Sequence, residues 1–254
     1  MNMHYSKADI HIHTTYSDGI AGVAAILEHV AAHTDLRLIA ITDHDTIAGA
    51  LLARQIARAY GVEVIVGEEV STAEGHLLAL FIDHWLPPGR PAAETIAAIH
   101  AQGGLCVAAH AFDPLVPSLG RAGLSGRCAG ARAGEWPLDG VESFNASSWI
   151  AASNRHADAF GAALGLARCG GSDSHSLATV GRGYTLFSGT SADDLYRAIA
   201  GGQTAPGGVR WRFEDYFEIA AYRAQGRWQR WRGRVTPSVE APVLAEVPSQ
   251  LVWE

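Results

Sequence analysis

The chain has 254 residues, 48% of them hydrophobic, which is enough for one sizeable α/β domain and excludes wholesale disorder. Its formal net charge of -7 disfavours a general nucleic-acid-binding protein, and no apolar run is long enough to span a membrane. Three scattered cysteines favour a reducing compartment, and without a signal-peptide pattern at the N-terminus we expect a cytoplasmic protein.

Short apolar strands alternate with helical segments along most of the chain. Strands are predicted over residues 8–13, 37–42, 62–66, 76–82, 104–109, 140–144 and 166–170. Helices are predicted over residues 21–33, 46–60, 92–102, 150–164 and 192–200. This alternation is typical of a parallel α/β fold, and seven strand–helix units would suit a closed or distorted barrel.

Two segments interrupt the alternation. Residues 111–139 contain five glycines and three arginines and are predicted to form a long loop, a kind of segment that is usually functional or disordered. Residues 209–234 carry seven arginines and three tryptophans, and residues 235–254 are acidic and contain prolines. We therefore predict a catalytic barrel over residues 1–208 and a short C-terminal extension over residues 209–254.

Polar side chains collect where the predicted strands begin or end. Asp9, His11 and His13 alternate with apolar residues in the first strand and so share one face. The sequences TDHD, GEE and GSDSH follow later strands, and histidines stand at positions 76 and 110. Ligands of α/β folds gather at strand carboxyl ends, and burying this many polar groups unpaired would cost several kcal/mol. The pattern predicts a metal site.

The chain resembles the polymerase and histidinol phosphatase (PHP) family in its motifs DIHIHTTYSDG, AITDHDT, GEEVS and GGSDSH and in the histidines at positions 76 and 110. The order and spacing of these motifs are specific, and the resemblance covers residues 8–200. It implies a distorted (β/α)7 barrel of the PHP type with two or three divalent metal ions at the strand carboxyl ends. More narrowly, the chain looks like the small stand-alone PHP phosphoesterases, whose relatives include nucleotide phosphatases and an RNA 5′-exonuclease.

Carried over position by position, the resemblance implies nine ligands in three sets. The first metal would be held by His11, His13, Glu69 and Asp173, the second by Glu69 as a bridge with His76 and His110, and the third by Asp18, His44 and His175. This mixture of imidazole and carboxylate suits Mn, Fe or Zn better than Ca, and Mg is a less natural occupant.

The implied chemistry is attack of a metal-bound hydroxide on the phosphorus of a phosphate ester. His44 or His175, if not fully committed to a metal, would protonate the leaving alkoxide, and Asp173 is the third candidate catalytic residue. Asp9 and Asp45 are interpreted as carboxylates that orient ligand imidazoles. For Asp9, the role of an ordinary polar residue at a strand start stays open.

Positive charge for the substrate phosphate is expected from arginines, because a guanidinium binds phosphate through two parallel hydrogen bonds. Arg121 belongs to the loop that follows His110 and is the first candidate, with Arg127 and Arg132 behind it. The alternative is that these are solvated loop residues. Two further candidates are Arg182, shortly after GSDSH, and Asn145, which lies with Glu142 at a strand end where both would support the loop or contact the substrate.

Some features compete with the family pattern or depart from it. Glu68 precedes Glu69 and is expected to point away from the site, and His84 is a second candidate beside His76. Relatives of the nucleotide-phosphatase type usually carry a long helical insertion that covers the site, whereas residues 83–103 offer one helix here. The cover is therefore expected from another segment.

These observations favour a metal-dependent phosphoesterase acting on a small phosphorylated metabolite, with nucleotides first. Two roles stay open for the Arg- and Trp-rich extension: packing or homodimerisation, which we favour, and binding of a nucleic-acid strand. The second role would suit a 5′-exonuclease acting on short oligonucleotides. A non-catalytic metal-binding or regulatory module is a further hypothesis, which the nine filled ligand positions disfavour.

Overall fold

The structure is a computed structural model that describes residues 5–120, 124 and 138–231, without the side chains of residues 223 and 225–231. The predicted substrate residue Arg121 therefore lies outside the described residues, as do Arg127, Arg132 and residues 232–254. Nothing in the structure bears on these positions.

The described residues form nine strands and six α-helices. The strands are β1 (Tyr5–Asp9), β2 (Leu38–Ile41), β3 (Glu63–Ser71), β4 (His76–Leu80), β5 (Leu105–Ala108), β6 (Gly140–Asn145), β7 (Ala167–Gly171), β8 (Gly183–Ser188) and β9 (Ala205–Gly208). The helices are α1 (Val23–His33), α2 (Ala48–Ile56), α3 (Ala92–Ala101), α4 (Ala151–Leu164), α5 (Ala192–Ala200) and α6 (Phe213–Trp231). Within the described residues, no helix combines the length and the apolar composition needed to cross a membrane.

The nine strands form one sheet in the order β7-β6-β5-β4-β3-β2-β1-β8-β9. Strands β1, β2 and β3 are parallel to one another, as are β5, β6 and β7. The fourth strand lies between these two groups and runs antiparallel to both of its neighbours. Strands β8 and β9 extend the sheet beyond β1 in an antiparallel arrangement.

The direction of β4 differs from the expected parallel arrangement. Only residues 72–75 separate β3 from β4, whereas a parallel connection needs a dozen or more residues, so the two strands pair as a hairpin with Ser71 opposite His76. Strands β8 and β9 were also not predicted. In the structure, the residues of β8 (GYTLFS) alternate between buried and partly exposed positions, as is typical of a strand.

The sheet curls until β7 meets β8, which nearly closes the barrel. The Thr185 hydroxyl of β8 accepts a hydrogen bond from the Gly170 N–H at 2.9 Å and donates one to the Gly170 carbonyl at 2.8 Å. Just beyond the strands, Ile12 forms a parallel bridge with Ser174. The expected distorted α/β barrel is confirmed.

The central strands are buried on both faces. In β2, Leu38 and Ala40 belong to an apolar cluster inside the barrel, whereas Ile39 and Ile41 belong to a second cluster beneath the helices. A strand covered on both sides is hydrophobic along its whole length, which explains the unbroken apolar run in β2. Helix α5 contributes Leu195 to the inner cluster and closes the barrel at the end opposite the predicted ligands.

Asp9 is completely buried and joins three backbone segments. One of its carboxylate oxygens accepts hydrogen bonds from the N–H groups of His11 and Ser172, and the other accepts one from the N–H of Gly181. These bonds tie the end of β1 to the turn after β7 and to the turn before β8. Asp9 therefore holds the closure of the barrel and does not orient a ligand imidazole, contrary to the interpretation made from the sequence.

Replacing Asp9 by asparagine should destabilise the protein. The amide N–H₂ group would face at least one of the three backbone donors, and a buried N–H left unpaired costs about 1–3 kcal/mol. For a chain of this size the expected decrease in Tm is roughly 2–12 °C, measured by circular dichroism in the presence of EDTA.

The matched control is Asp35→Asn, because Asp35 forms an exposed ion pair with Lys7 and such pairs contribute about 0–1 kcal/mol. Equal Tm values for Asp9→Asn and the unsubstituted protein would contradict the closure role.

Helix α6 lies across the loop that follows β6. The backbone N–H of Trp211 donates to the carbonyl of Ala146, and the Tyr216 hydroxyl donates to the carbonyl of Ser147. The same helix also exposes large apolar side chains, among them Phe217. The predicted homodimer through the C-terminal extension stays a prediction.

Candidate metal centre

The nine predicted ligands come together at one end of the barrel. Eight of them lie near the carboxyl ends of parallel strands: His11, His13 and Asp18 after β1, His44 after β2, Glu69 within β3, His110 after β5, and Asp173 and His175 after β7. The ninth, His76, is the first residue of β4. Because β4 runs antiparallel to β3 and β5, its first residue lies at the same end as the other eight.

Four ligand atoms of the first predicted set are almost equally spaced. The Nε2 atom of His11 lies 3.1 Å from His13 Nε2, 3.3 Å from Glu69 Oε2 and 3.5 Å from Asp173 Oδ1. The Nε2 atom of His13 lies 3.2 Å from each of the same two oxygens. A tetrahedral site with bonds of 2.0–2.1 Å has edges of about 3.3 Å, so these atoms fit one divalent metal ion in both spacing and chemistry.

Glu69 connects the first set to the second. Its Oε2 atom faces His11 and His13, while its Oε1 atom lies 3.0 Å from His76 Nδ1 and 2.9 Å from His110 Nε2. A carboxylate with different imidazoles at its two oxygens has the arrangement needed to bridge two metal ions. The structure thus brings Glu69, His76 and His110 together as the resemblance implied.

The third set lies beside His13. The Asp18 Oδ1 atom lies 3.1 Å from His175 Nε2, 3.9 Å from His44 Nε2 and 3.7 Å from His13 Nδ1. His175 donates its Nδ1 hydrogen to the carbonyl of Asp173 at 2.8 Å, which leaves the Nε2 lone pair directed toward Asp18. His13 therefore stands between the first and third sets, a position that the sequence did not indicate.

The buried carboxylates and imidazoles shift one another's pKa. Burial opposes ionisation of Glu69 and Asp173, but the neighbouring imidazoles outweigh it and hold the pKa of both carboxyls well below the usual range. Burial also opposes protonation of His13, yet its hydrogen bonds to Asp173 and Glu69 raise its pKa to about 10. The carboxylates therefore attract positive charge to this point, and binding of a divalent metal would release protons from the imidazoles.

Glu142 supports two ligands from behind. It is completely buried, and its Oε1 atom accepts the Nδ1 hydrogen of His11 at 3.1 Å, so that the Nε2 lone pair faces the cluster. Its Oε2 atom accepts from the backbone N–H of His110 at 2.7 Å and from the Asn145 amide at 2.8 Å. The sequence analysis did not predict this orienting role. The sequence feature that could have indicated it is a glutamate inside the apolar, buried strand GVESFN.

Three residues around the cluster have left-handed backbone conformations, which are uncommon outside glycine: His110 with φ of 30°, Asp173 with 50° and Asp45 with 54°. The bond from its backbone N–H to Glu142 helps to hold His110 in this conformation. The Asp45 carboxylate accepts from the backbone N–H of Ser71 and therefore holds the end of β3 instead of orienting an imidazole. Such conformations concentrate at functional sites.

The predicted substrate residues Arg182 and Asn145 are not among the residues that line the pocket beside this cluster. The Arg182 guanidinium forms an ion pair with Asp215 at 3.1 Å and so ties the start of β8 to α6. The Asn145 amide donates to Glu142 and Asp173, and its oxygen accepts from Ser147. Both side chains are occupied by the protein's own groups.

Glu68 and His84 lie outside the cluster. Neighbouring residues of a strand face opposite sides, and Glu68 points away from Glu69 to accept the backbone N–H of Leu86, as expected. Its burial raises the pKa of Glu68 to about 8. His84 is exposed, and its backbone N–H donates to the Gln102 side chain.

The cluster forms the floor of a pocket of about 470 Å³, within the usual size range of small-molecule sites. The pocket is lined by Asp18, His44, Glu69, His76, His110, Asp113, Leu115, Val116, Pro117, Ser147, Trp149, Asp173, His175, Trp211, Tyr216, Ile219 and Ala220. No Lys or Arg occurs among the described residues that line it. Helix α6 supplies part of its wall and so provides the cover that was expected from another segment.

Family models match two parts of this chain. The model of the PHP domain matches residues 9–127, and a model described as PHP-associated matches residues 151–204. The chain belongs to the PHP family of metal-dependent phosphoesterases. By its family the chain is a metal-dependent phosphoric ester hydrolase. The convergent histidines and carboxylates offer ligand atoms close enough together to hold metal ions.

Curated relatives match the chain over different lengths. An uncharacterized protein of Methanocaldococcus jannaschii is 38% identical over 151 residues, which are 55% of this chain and 82% of that protein. A phosphoribosyl 1,2-cyclic phosphate 1,2-diphosphodiesterase of Eggerthella lenta is 36% identical over 85 residues, 31% of this chain and 32% of that protein. A 5'-3' exoribonuclease of Haemophilus influenzae is 39% identical over 85 residues, 32% of this chain and 31% of that protein. The matches thus span about a third of both named enzymes.

Solved structures share the fold. A two-domain protein from Bacteroides vulgatus, described as containing a predicted PHP-like metal-dependent phosphoesterase, superposes with a TM-score of 0.66 at 18% identity over 82% of this chain and 66% of that chain. The protein PsfC from Pseudomonas syringae superposes with a TM-score of 0.64 at 19% identity over 88% of this chain and 99% of that chain. At these identities the likeness concerns the fold alone.

Replacing Glu142 by glutamine should weaken metal binding without unfolding the protein. The amide keeps the shape of the side chain but removes the negative charge that holds the Nδ1 hydrogen on His11, and loss of such a supporting contact typically lowers metal affinity about 10- to 100-fold. The measurement is calorimetric titration of the metal-free protein with Mn²⁺.

Glu94→Gln is the matched control, because Glu94 forms an exposed ion pair with Arg90 and should bind Mn²⁺ as the unsubstituted protein does. An unchanged Kd for Glu142→Gln, with an unchanged circular dichroism spectrum, would rule out the supporting role.

Proposed function

We propose that this protein hydrolyses the phosphate ester of a small phosphorylated metabolite, with nucleotides first among the candidates. The observation that carries the proposal is the convergence of nine candidate ligand side chains at one end of the barrel, seven of which line a pocket of about 470 Å³. A site of this size accommodates a small molecule and places its phosphate against the ligand cluster.

The charge of the pocket supports a metal-dependent reaction on an anion. Asp18, Glu69, Asp113 and Asp173 line the pocket, and the described lining residues include no Lys or Arg. These carboxylates would repel a phosphate dianion unless cations offset their charge. Bound divalent ions would supply that charge, polarise the phosphate and activate water.

His44 and His175 occupy the open side of the cluster. Their side chains are 29% and 13% exposed, whereas those of His11 and His13 are completely buried. In the proposed reaction, the attacking water gives up one proton to solvent, its oxygen bonds to phosphorus, the bond from phosphorus to the leaving oxygen breaks, and the leaving alkoxide takes a proton. The accessible imidazoles support the assignment of a proton donor to His44 or His175, a role open to whichever of the two is not coordinated to a metal ion.

Asp173 has its two oxygens in different environments. The Oδ1 atom faces His11 and His13, while the Oδ2 atom accepts hydrogen bonds from Ser147 at 2.7 Å and from Asn145 at 3.2 Å. This arrangement fixes the carboxylate in one orientation and supports its assignment as a ligand on which activity depends.

A 5′-exonuclease acting on short oligonucleotides is the second candidate. The segment shared with the 5'-3' exoribonuclease of Haemophilus influenzae supports it, since that protein is 39% identical over the 85 matched residues. An oligonucleotide 5′ end presents phosphate esters similar to those of a nucleotide, so substrate length distinguishes the two activities.

A panel of phosphate esters tests the proposal. The Mn-loaded protein is assayed for phosphate release from nucleoside mono- and bisphosphates, sugar phosphates, histidinol phosphate and a 5′-phosphorylated tetranucleotide. We expect release from a small ester, and a decrease of at least about 100-fold in Asp173→Asn because a ligand loses its charge. Preferred cleavage of the tetranucleotide would favour the exonuclease.

The control variant is Asp83→Asn, because Asp83 makes an exposed ion pair with Arg54 and should leave the rate unchanged. No release above that of Asp173→Asn from any ester would refute the proposed function and favour a non-catalytic metal-binding module.

A further inference from the structure

Three aromatic side chains form a continuous wall from the metal centre to the mouth of the pocket. The Trp211 ring lies 6.0 Å from the His175 ring and 5.1 Å from the Tyr216 ring, and the Tyr216 ring lies 5.2 Å from that of Trp149. All three line the pocket, and Trp149, which is 52% exposed, reaches the solvent. We name Trp149, Trp211 and Tyr216 the aromatic wall.

Two members of the aromatic wall use their polar atoms inside the protein. The Trp211 Nε1–H group donates to the carbonyl of Ser172 at 2.9 Å, and the Tyr216 hydroxyl donates to the carbonyl of Ser147 at 2.6 Å. These bonds orient both rings and occupy the groups that would otherwise hydrogen-bond a ligand. The two rings are tilted by 52° to one another, and what they offer to the pocket is aromatic surface without a free polar group, which suits a planar group.

The pocket is apolar on a second side as well. Leu115, Val116 and Pro117 also line it, and the carbonyl of Pro117 accepts the backbone N–H of His76 at 3.1 Å. This loop therefore lies beside His76, whereas the aromatic wall begins at His175. Together they form a slot with a charged floor and apolar sides.

The aromatic wall lies outside the segments that the family models match. Trp211 and Tyr216 come after residue 204, where the second match ends, and Trp149 lies between the matches over residues 9–127 and 151–204. The ligands on the floor of the pocket come from the matched segments. The wall is thus supplied by parts of this chain that are not included in the matched family pattern.

We propose that the aromatic wall stacks a planar ring carried by the substrate, so that the preferred substrates are phosphate esters with an aromatic or heteroaromatic group such as a nucleobase. The inference rests on the proposed function and names its substrate class. Discrimination comes from stacking, because the described lining residues include no Lys or Arg and the polar atoms of Trp211 and Tyr216 are already bonded. A sugar phosphate would leave the wall in contact with water.

The sharpest test compares adenosine 5′-monophosphate with ribose 5-phosphate. Both present the same phosphate on the same primary oxygen, and they differ at the base. We expect kcat/KM to favour the nucleotide by roughly 5- to 150-fold, the range for one stacked base, and we expect the difference to lie mainly in KM.

Two substitutions at one position separate the ring from its hydrogen bond. Tyr216→Leu removes the ring and should reduce the nucleotide preference several-fold, whereas Tyr216→Phe keeps the ring and should retain most of the preference. Phe217→Leu is the control on the same helix, because Phe217 is 58% exposed and is not among the lining residues of the pocket. It should behave as the unsubstituted protein does.

A binding measurement separates this inference from the proposed function. Adenosine, which carries no phosphate, is titrated into the protein in EDTA while tryptophan fluorescence is recorded, and we expect saturable quenching that is weakened in Tyr216→Leu. If no ester of the phosphate-ester panel is hydrolysed but this quenching is seen, the proposed function fails and the stacking site stands. If both esters are hydrolysed with equal kcat/KM, or if Tyr216→Leu keeps the preference intact, the stacking inference is overturned and the phosphatase function stands.

Discussion

The buried carboxylate of Glu69 is the group on which the rest of the site depends. It is 1% exposed, and five imidazoles approach it within 2.9–3.3 Å: His11, His13, His44, His76 and His110. An isolated ionised carboxylate at this depth would be strongly disfavoured, so the barrel must bring compensating groups to it. They come from the ends of four strands, β1, β2, β4 and β5. The geometry that closes the barrel is therefore the geometry that assembles the metal-binding floor.

Two further buried carboxylates hold this arrangement from behind. Asp9 binds three backbone N–H groups where β1, β7 and the start of β8 meet, and Glu142 binds both the imidazole of His11 and the backbone of His110. Neither side chain lines the pocket. Asp9 acts on the ligands through the backbone, and Glu142 acts through the backbone of His110 and through the Nδ1 atom of His11. Because both carboxylates are hydrogen-bonded, they are tolerated inside the barrel.

The candidate metal ligands and the aromatic side chains proposed to contact the rest of the substrate come from different segments. The ligands follow the strands of the barrel, which the family models match, whereas Trp211 and Tyr216 belong to the segment around α6. In this chain the interval between β3 and β5 is short, and the C-terminal segment supplies a wall of the pocket.

The sequence by itself determined the α/β class and the collection of polar residues at strand ends, because both are local patterns, and its resemblance to the PHP family implied the nine candidate ligands. It also indicated that Glu68 points away from the site, since neighbours in a strand face opposite sides. Only the tertiary structure decided the direction of β4, the contact of Glu142 with His11 and the place of Tyr216 in the pocket. Glu142 and His11 are separated by 131 positions, and no periodicity in a sequence reports a contact over such a distance. Contacts of this kind arise from the closure of the barrel, which joins segments whose spacing along the chain carries no local signal.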